Sequence, residues 1–134
     1  MKEIHLNTSD HTCRILVGES YKNVGDYLPG KKLVIITDEN VHQHYAPDFP
    51  DGLLITVKPG ENSKTIEIAS EIYGQLIANE IDRQAFILGV GGGIVCDLAG
   101  YIAATYLRGI SFGFISTTLL SQVDASIGGK NGVN

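Results

Sequence analysis

The sequence is poor in three features that would each point to a particular class of protein. It has two cysteines, Cys13 and Cys96, which are too few for a disulfide framework. Its 10 basic side chains are outnumbered by 15 acidic ones, so a basic face for nucleic acid is not expected. The start of the chain has no apolar signal core, and no apolar run is long enough to span a membrane. We therefore expect a cytoplasmic protein that binds neither nucleic acid nor membranes.

The sequence is rich in short apolar segments of two alternating kinds. Apolar residues make up 43% of the 134 residues, enough for one domain over residues 1–134. Strand-like runs alternate with helical patterns, which is typical of a parallel sheet covered by helices. We predict an α/β fold with an antiparallel strand pair at its N-terminus. The predicted strands are Glu3–Thr8, Arg14–Val17, Lys32–Thr37, Leu53–Val57, Ala85–Val90 and Phe112–Ile115, and the predicted helices are Glu19–Tyr27, Asn40–Tyr45, Thr65–Asn79, Ile94–Leu107 and Thr118–Ala125.

Polar or glycine-rich residues follow four of the predicted strands at their carboxyl ends. They occupy residues 37–40, 58–64, 89–93 and 116–118, and Asp97 comes shortly after the third group. In open α/β sheets, ligands bind at the carboxyl ends of the strands. The pattern therefore predicts one ligand-binding crevice, although turns in general are also polar and rich in glycine.

The triple glycine Gly91–Gly93 is the strongest local feature. A glycine turn that opens a helix lets the backbone approach a pyrophosphate, whose charge is favoured by the helix N-terminus. The spacing from Gly89 places Ile94 where the dinucleotide fingerprint has its third glycine, so the motif is incomplete. A tight turn that needs positive φ is the structural alternative. Asp97 either interacts with the helix dipole or accepts a hydrogen bond from a ribose or substrate hydroxyl.

Several other polar residues have both a functional and a structural explanation. Thr117 and Thr118 are candidate ligand contacts or helix caps. Asp124 and Lys130 flank a glycine pair; such a lysine suits a phosphate or carboxylate, or is simply solvated. The histidines lack the spacing of metal ligands, so we expect all four at the surface: His5, His11, His42 and His44.

The run from Gly91 to Asn134 resembles the 3-dehydroquinate synthases. Upstream, residues 59–64 and 36–40 are similar to nucleotide-contacting segments of that family. The resemblance implies a Rossmann-like parallel sheet, followed in the family by a helical C-terminal domain that carries one Glu and two His as metal ligands. We expect that domain to be absent from this chain, which then holds no metal ligands. Small departures from the family occur at Cys96, Ser116 and Asn131.

The resemblance also implies a function and cofactors. Family members convert 3-deoxy-arabino-heptulosonate 7-phosphate into 3-dehydroquinate in the shikimate pathway of aromatic amino acid biosynthesis. They use NAD and a divalent metal, zinc or cobalt. NAD oxidises a substrate hydroxyl, phosphate is eliminated, the ketone is reduced again, and an aldol step closes the ring. A homodimer is implied for the whole enzyme, and this chain alone is expected to be inactive.

Site residues carry over position by position from the resemblance. The adenosine part of NAD is assigned to Asp38 and Asn40, and its site continues through Glu61, Asn62, Ser63 and Lys64. The pyrophosphate is assigned to Gly92, Gly93 and the neighbouring Ile94, Val95 and Cys96. Asp97 is assigned to the nicotinamide and its ribose, Thr117 and Thr118 to the nucleotide, and Asp124 and Lys130 to the substrate.

Three other functions remain open. One is a different sugar-phosphate cyclase, such as a 2-deoxy-scyllo-inosose synthase, which would share the nucleotide-binding half. Another is a non-catalytic nucleotide-binding module. The third is a metal-dependent polyol dehydrogenase with a related nucleotide-binding half.

Overall fold

A computed structural model describes residues 1–29, 32–127 and 129–134 of the chain. The strands are β1 (Lys2–Asn7), β2 (Thr12–Val17), β3 (Leu33–Asp38), β4 (Leu53–Val57), β5 (Phe86–Gly91) and β6 (Ser111–Ser116). The α-helices are α1 (Glu39–Tyr45), α2 (Ile66–Ala78) and α3 (Gly93–Thr105). The predicted α/β fold is therefore confirmed, with small shifts at the ends of the elements.

Two predicted helices take other helical forms. The segment expected to be helical over Glu19–Tyr27 is a 3₁₀ helix over Tyr21–Asp26. The segment expected over Thr118–Ala125 ends as a π-helical turn over Ser121–Ala125. Helix α3 ends at Thr105 instead of Leu107, because Leu107 and Arg108 have φ angles of 48° and 69°. These left-handed conformations interrupt a right-handed helix.

The strands form two separate sheets. β1 and β2 make the predicted antiparallel pair, with Ile4 opposite Ile15. The other four strands form a parallel sheet in the order β4-β3-β5-β6. β4 and β5 lie on opposite sides of β3, so the strand order reverses between β3 and β5. In this topology, the ligand crevice is expected outside the carboxyl ends of these two strands.

Helices α2 and α3 cover the same face of the parallel sheet. Thr65 begins α2 by accepting a hydrogen bond from the Ile68 backbone N–H. The buried stripe of α2 is Ala69, Ile72 and Leu76, whereas Ile66 and Ile77 are 59% and 66% exposed. The helical spacing of these five apolar residues would predict that they all lie on one buried face of α2. The buried stripe is narrower than the apolar pattern, because the side of α2 that carries Ile66 and Ile77 faces solvent.

Helix α3 lies so close to the sheet that residue 89 of β5 has no room for a side chain. A Cβ atom on Gly89 of β5 would lie 2.8 Å from the Ala99 Cβ atom of α3. Seven residues of α3 are buried: Val95, Cys96, Leu98, Ala99, Gly100, Ile102 and Ala103. The close Gly89–Ala99 approach holds α3 against β5, the strand that leads directly into the helix. Within the described residues, no helix is both long and apolar enough to cross a membrane.

Candidate functional site

The glycine turn joins the carboxyl end of β5 directly to the start of α3. Gly92 has a φ angle of −83°, and none of the three glycines is among the residues with positive φ. The structural alternative, a tight turn that needs positive φ, therefore does not apply to these glycines. Close approach explains the glycine at residue 91 instead, because a Cβ atom there would lie 2.7 Å from the Val95 side chain.

The start of α3 presents backbone donors at this turn. The first N–H groups of a helix have no partner within it, and here these belong to Gly93, Ile94 and Val95. The Cys96 N–H already donates to the Gly92 carbonyl at 3.0 Å. Gly92, Gly93 and Ile94 are partly exposed, so an anion can reach their backbone. The geometry suits a phosphate group, since the helix dipole also favours a negative charge here.

Asp38 lies at the carboxyl end of β3, on the other side of the switch point. Its Oδ1 atom accepts a hydrogen bond of 2.9 Å from the Val41 N–H and so caps α1. Just before it, the buried Thr37 hydroxyl donates to the Val90 carbonyl of β5 at 2.7 Å. This bond ties the two strands together beside the crevice. Asn40 lies exposed in the first turn of α1.

The loop after β4 brings four of the predicted site residues to the same edge. Glu61 and Asn62 are exposed, Ser63 is buried, and Lys64 is partly buried. The Ser63 hydroxyl donates to the Lys58 carbonyl, and the Ser63 N–H donates to the Gly60 carbonyl. The Lys64 N–H donates to the Glu61 carbonyl at 3.1 Å. These local bonds fold the loop into a compact 3₁₀ turn.

Lys64 and Asp97 form an ion pair across the crevice edge. The Lys64 Nζ atom lies 2.7 Å from the Asp97 Oδ2 atom, and the side chains are 21% and 22% exposed. Hydrogen bonding to Asp97 is the largest cause that raises the pKa of Lys64 above its ordinary range. Neither of the two explanations that the sequence left open for Asp97 included this lysine. The pair connects the loop after β4 to helix α3.

Thr117 and Thr118 lie at the carboxyl end of β6, beside the glycine turn. The Thr117 N–H donates to the Gly91 carbonyl at 2.9 Å. The Thr118 hydroxyl oxygen accepts from the Ser121 N–H at 3.2 Å, so Thr118 does act as a cap. Its methyl group also lies close to Gly92, since a Cβ atom there would be 3.1 Å away. Both threonines are exposed at the crevice.

Asp124 lies in the π-helical turn, which packs against the start of α3. A Cβ atom on Gly93 would lie 3.7 Å from the Ala125 Cβ atom, so this turn borders the glycine turn. Asp124 and Lys130 are both exposed. Gly128, one of the paired glycines before Lys130, lies outside the described residues. The turn that carries Asp124 therefore lies beside the start of α3, and the assignment of Asp124 and Lys130 to the substrate stays a prediction.

The Cys96 thiol and the four histidines could in principle react or bind a metal. Cys96 is fully buried, and burial raises the pKa of its thiol to about 11. Its side chain therefore packs inside the fold. All four histidines are exposed, as predicted. Among residues 1–29, 32–127 and 129–134, no group of three His, Cys, Asp or Glu side chains is placed to hold a metal ion.

A groove lies at the opposite, amino edge of the sheet. Its volume is about 570 Å³, and it is lined by Lys32, Leu33, Asp51, Gly52, Leu53, Asn79 and Ile81. Lys32 already donates to the Asn79 carbonyl at 3.0 Å. The groove lacks the free helix N-terminus and the glycine turn of the other edge. We therefore place the candidate site at the carboxyl ends of the strands.

Residues 131–134 contribute contacts that the sequence analysis missed. The Asn134 side chain donates to the Glu61 Oε1 atom at 2.7 Å, and its backbone N–H donates to the Lys64 carbonyl at 2.8 Å. Asn131 packs over Gly100, where a Cβ atom would lie 2.0 Å from its Oδ1 atom. No local sequence pattern predicts these contacts, because the residues that form them are far apart in the chain.

Comparison with protein families gives a match over residues 54–134, to the model described as 3-dehydroquinate synthase N-terminal. The 3-dehydroquinate synthase of Ruminiclostridium cellulolyticum is 38% identical to this chain, over 96% of the chain and 39% of the relative. The chain therefore spans about two fifths of the length of such curated relatives.

Two solved structures with the same fold are sugar-phosphate cyclases. A 2-deoxy-scyllo-inosose synthase complexed with carbaglucose-6-phosphate, NAD⁺ and Co²⁺ matches with a TM-score of 0.75 at 25% identity, over 89% of this chain and 35% of its own. A 2-epi-5-epi-valiolone synthase from Streptomyces hygroscopicus subsp. jinggangensis 5008, with NAD⁺ and Zn²⁺ bound, matches with a TM-score of 0.72 at 31% identity, over 83% of this chain and 33% of its own.

Proposed function

Because the chain belongs to the 3-dehydroquinate synthase family, we propose that it is the NAD-binding part of an enzyme that makes 3-dehydroquinate. The substrate of the whole enzyme is 3-deoxy-arabino-heptulosonate 7-phosphate, and inorganic phosphate is released. The observation that carries the proposal is the family match over residues 54–134, which include the loop after β4, the glycine turn and the threonines after β6. A cytoplasmic homodimer is part of the same proposal.

The residues at the crevice fit a dinucleotide. The start of α3 and the glycine turn lie at the switch point of the sheet, where the backbone N–H groups of Gly93 and Ile94 can bind the pyrophosphate. Asp38 and Glu61 offer carboxylate oxygens, which accept hydrogen bonds from ribose hydroxyls. In Asp38 the Oδ2 atom would accept this hydrogen bond, since the Oδ1 atom caps α1.

Lys64 offsets the negative charge that Asp97 would otherwise present to a bound pyrophosphate. A carboxylate close to a pyrophosphate would be repelled, but the Lys64 ammonium 2.7 Å away offsets its negative charge. Asp97 can then accept a hydrogen bond from the ribose next to the nicotinamide. Bound NAD would supply reversible hydride transfer at a substrate hydroxyl; the ketone so formed would acidify the neighbouring C–H, and loss of that proton would let phosphate leave.

The substrate contacts assigned to this chain are Asp124 and Lys130. The Lys130 ammonium suits an anionic group of the sugar phosphate, and Asp124 suits its hydroxyls. The relatives in this fold are crystallised with Co²⁺ or Zn²⁺, and the whole enzyme is proposed to use such a metal. The described residues of this chain provide no group to hold it, so no step is assigned to a metal here.

Two measurements test this proposal. Calorimetric titration of the chain with NAD⁺ is expected to show saturable binding, and a folded chain that takes up no NAD⁺ would remove the nucleotide site from the proposal. The whole enzyme, with metal and NAD⁺, is expected to release phosphate from 3-deoxy-arabino-heptulosonate 7-phosphate faster than from other sugar phosphates. The reverse preference would favour a different cyclase, and net NADH formation from glycerol-like substrates would favour a polyol dehydrogenase.

A further inference from the structure

We propose that Asn134 is a positioning residue for the nucleotide site, acting through the Glu61 carboxylate. The inference rests on the proposed function, in which Glu61 contacts NAD. Asn134 makes two hydrogen bonds to the loop after β4: its side chain donates to Glu61 Oε1 at 2.7 Å, and its backbone N–H donates to the Lys64 carbonyl at 2.8 Å. Glu61 and Lys64 are thus bound by the same residue.

Residues 131–134, here called the strap, are held in place independently of the loop. The Asn131 side chain packs over Gly100 of α3, where no larger residue leaves room for it. Val133 packs partly buried against the main core cluster, which includes Ile72 and Leu98. These two contacts fix the path of the strap. Asn134 is therefore presented to the loop by rigid parts of the fold.

The loop after β4 has few contacts of its own with the rest of the fold. Its bonds at Ser63 and Lys64 are local, to residues 58, 60 and 61. The Lys64–Asp97 ion pair anchors the lysine end of the loop to α3. Glu61 is exposed, and an exposed carboxylate samples several rotamers unless a partner holds it. The Asn134 amide is the described partner that holds one Glu61 oxygen and leaves the other for a ligand.

The Asn134 contact also fits the charge arrangement of the crevice. An amide donor orients Glu61 without neutralising it, so the carboxylate remains a full acceptor for a ribose hydroxyl. A lysine at position 134 would instead add a charge beside Lys64. The neutral amide therefore suits a role in positioning better than one in charge balance.

The test is calorimetric titration of the 134-residue chain with NAD⁺ for the unchanged chain and four variants. Asn134→Ala is expected to weaken NAD⁺ binding about threefold to tenfold, the range for the net contribution of one ordinary hydrogen bond. Glu61→Ala alone weakens binding, and adding Asn134→Ala to it is expected to cause no further loss. Asn79→Ala is the matched control: it also removes an exposed asparagine with one side-chain hydrogen bond, at the other end of α2, and leaves binding unchanged.

A pH series separates positioning from general support of the fold. Asn134→Asp places two carboxyl groups together, which raises the pKa of one of them. Its binding loss relative to the unchanged chain is expected to be largest at pH 8 and to shrink towards pH 5, where the shared proton restores a donor to Glu61. A loss that is the same at every pH would overturn the inference.

The remaining outcomes separate the inference from the proposed function. If the unchanged chain binds NAD⁺ and Asn134→Ala binds equally well, the inference is wrong and the nucleotide site stands. An equal loss with and without Glu61 also overturns it, because Asn134 then acts elsewhere. If the unchanged chain binds no NAD⁺, the proposed site is wrong, and the inference falls with it before any variant is compared.

Discussion

Lys64 Nζ lies 2.7 Å from Asp97 Oδ2, so an ion pair closes the edge between the loop after β4 and helix α3. Three other strand ends meet at this edge, at Asp38, at the glycine turn and at Thr117. The ion pair therefore connects the part of the crevice assigned to adenosine with the part assigned to the nicotinamide. Its removal has consequences for both binding and stability.

Replacing Asp97 by alanine is expected to weaken NAD⁺ binding about tenfold. The substitution removes a hydrogen-bond acceptor for the ribose and releases Lys64 from its position, and tenfold corresponds to about 1.4 kcal/mol. Calorimetric titration with NAD⁺ measures the effect. Asp10→Ala, which removes an exposed carboxylate in the turn between β1 and β2, is the control and should bind as before. Unchanged binding by Asp97→Ala would exclude this carboxylate from the site.

The ion pair is expected to lose its contribution to stability only in strongly alkaline solution. The pKa of Lys64 is raised above its ordinary value of 10.5, chiefly by its hydrogen bond to Asp97. The folded state thus holds this proton more tightly than the unfolded state. The contribution is fully present below pH 10.5 and is lost as the pH rises through the higher pKa of the folded state.

Urea unfolding of the unchanged chain and of Lys64→Met measures this contribution. Because both side chains are partly exposed, the difference in unfolding free energy near pH 8 should not exceed about 1 kcal/mol. The difference should vanish above the folded-state pKa of Lys64, since the deprotonated lysine no longer pairs with Asp97. A difference that grows with pH would contradict the assignment. Taking the difference between the unfolding free energies of the two chains cancels the effect of other groups that titrate in this pH range.

The sheet and its helices could be predicted from the sequence because they depend on local patterns. The runs at Leu33–Asp38 and Phe86–Gly91 are apolar and short, as buried parallel strands are. Thr65 marks the start of α2 as a capping residue does. The general position of the crevice followed from one topological rule, since polar residues at the carboxyl ends of parallel strands share one edge.

The pairings within the crevice could not be predicted, because they join residues that are distant in the sequence. Lys64 with Asp97 and Glu61 with Asn134 depend on how α3 and the strap pack. The reason for glycine at residue 91 also stayed open, since a close contact to Val95 and a turn with positive φ both favour glycine. Only coordinates distinguish these two reasons. The roles assigned to Asp124 and Lys130 remain predictions.

Two glycine substitutions are expected to change stability in opposite directions. Gly89→Ala places a Cβ atom 2.8 Å from the Ala99 Cβ atom and 3.1 Å from the Phe114 ring, so overpacking should destabilise the fold by about 1–3 kcal/mol. Gly74→Ala lies in the exposed interior of α2, with no atom within 4 Å of the new Cβ, and should stabilise it by about 0.5–1 kcal/mol. Urea unfolding at neutral pH measures both.

The two variants control each other, because each adds a single methyl group. Destabilisation by both would mean that α2 does not tolerate alanine at residue 74. A neutral effect of Gly89→Ala would mean that α3 can move away from β5. In that case the start of α3 is not fixed at the glycine turn, and the site would have to form when the ligand binds.

The two thiols are expected to differ strongly in their reactivity towards Ellman's reagent. Cys13 is exposed on β2, whereas Cys96 is fully buried. Burial raises the pKa of the Cys96 thiol to about 11, so at pH 8 the reactive thiolate is nearly absent there. One thiol should therefore react rapidly in the folded chain and the second only after unfolding in urea. Cys13→Ser should abolish the rapid reaction; a rapid reaction that persists in this variant would show that the N-terminus of α3 opens to solvent, where the helix dipole could lower the pKa of Cys96 instead.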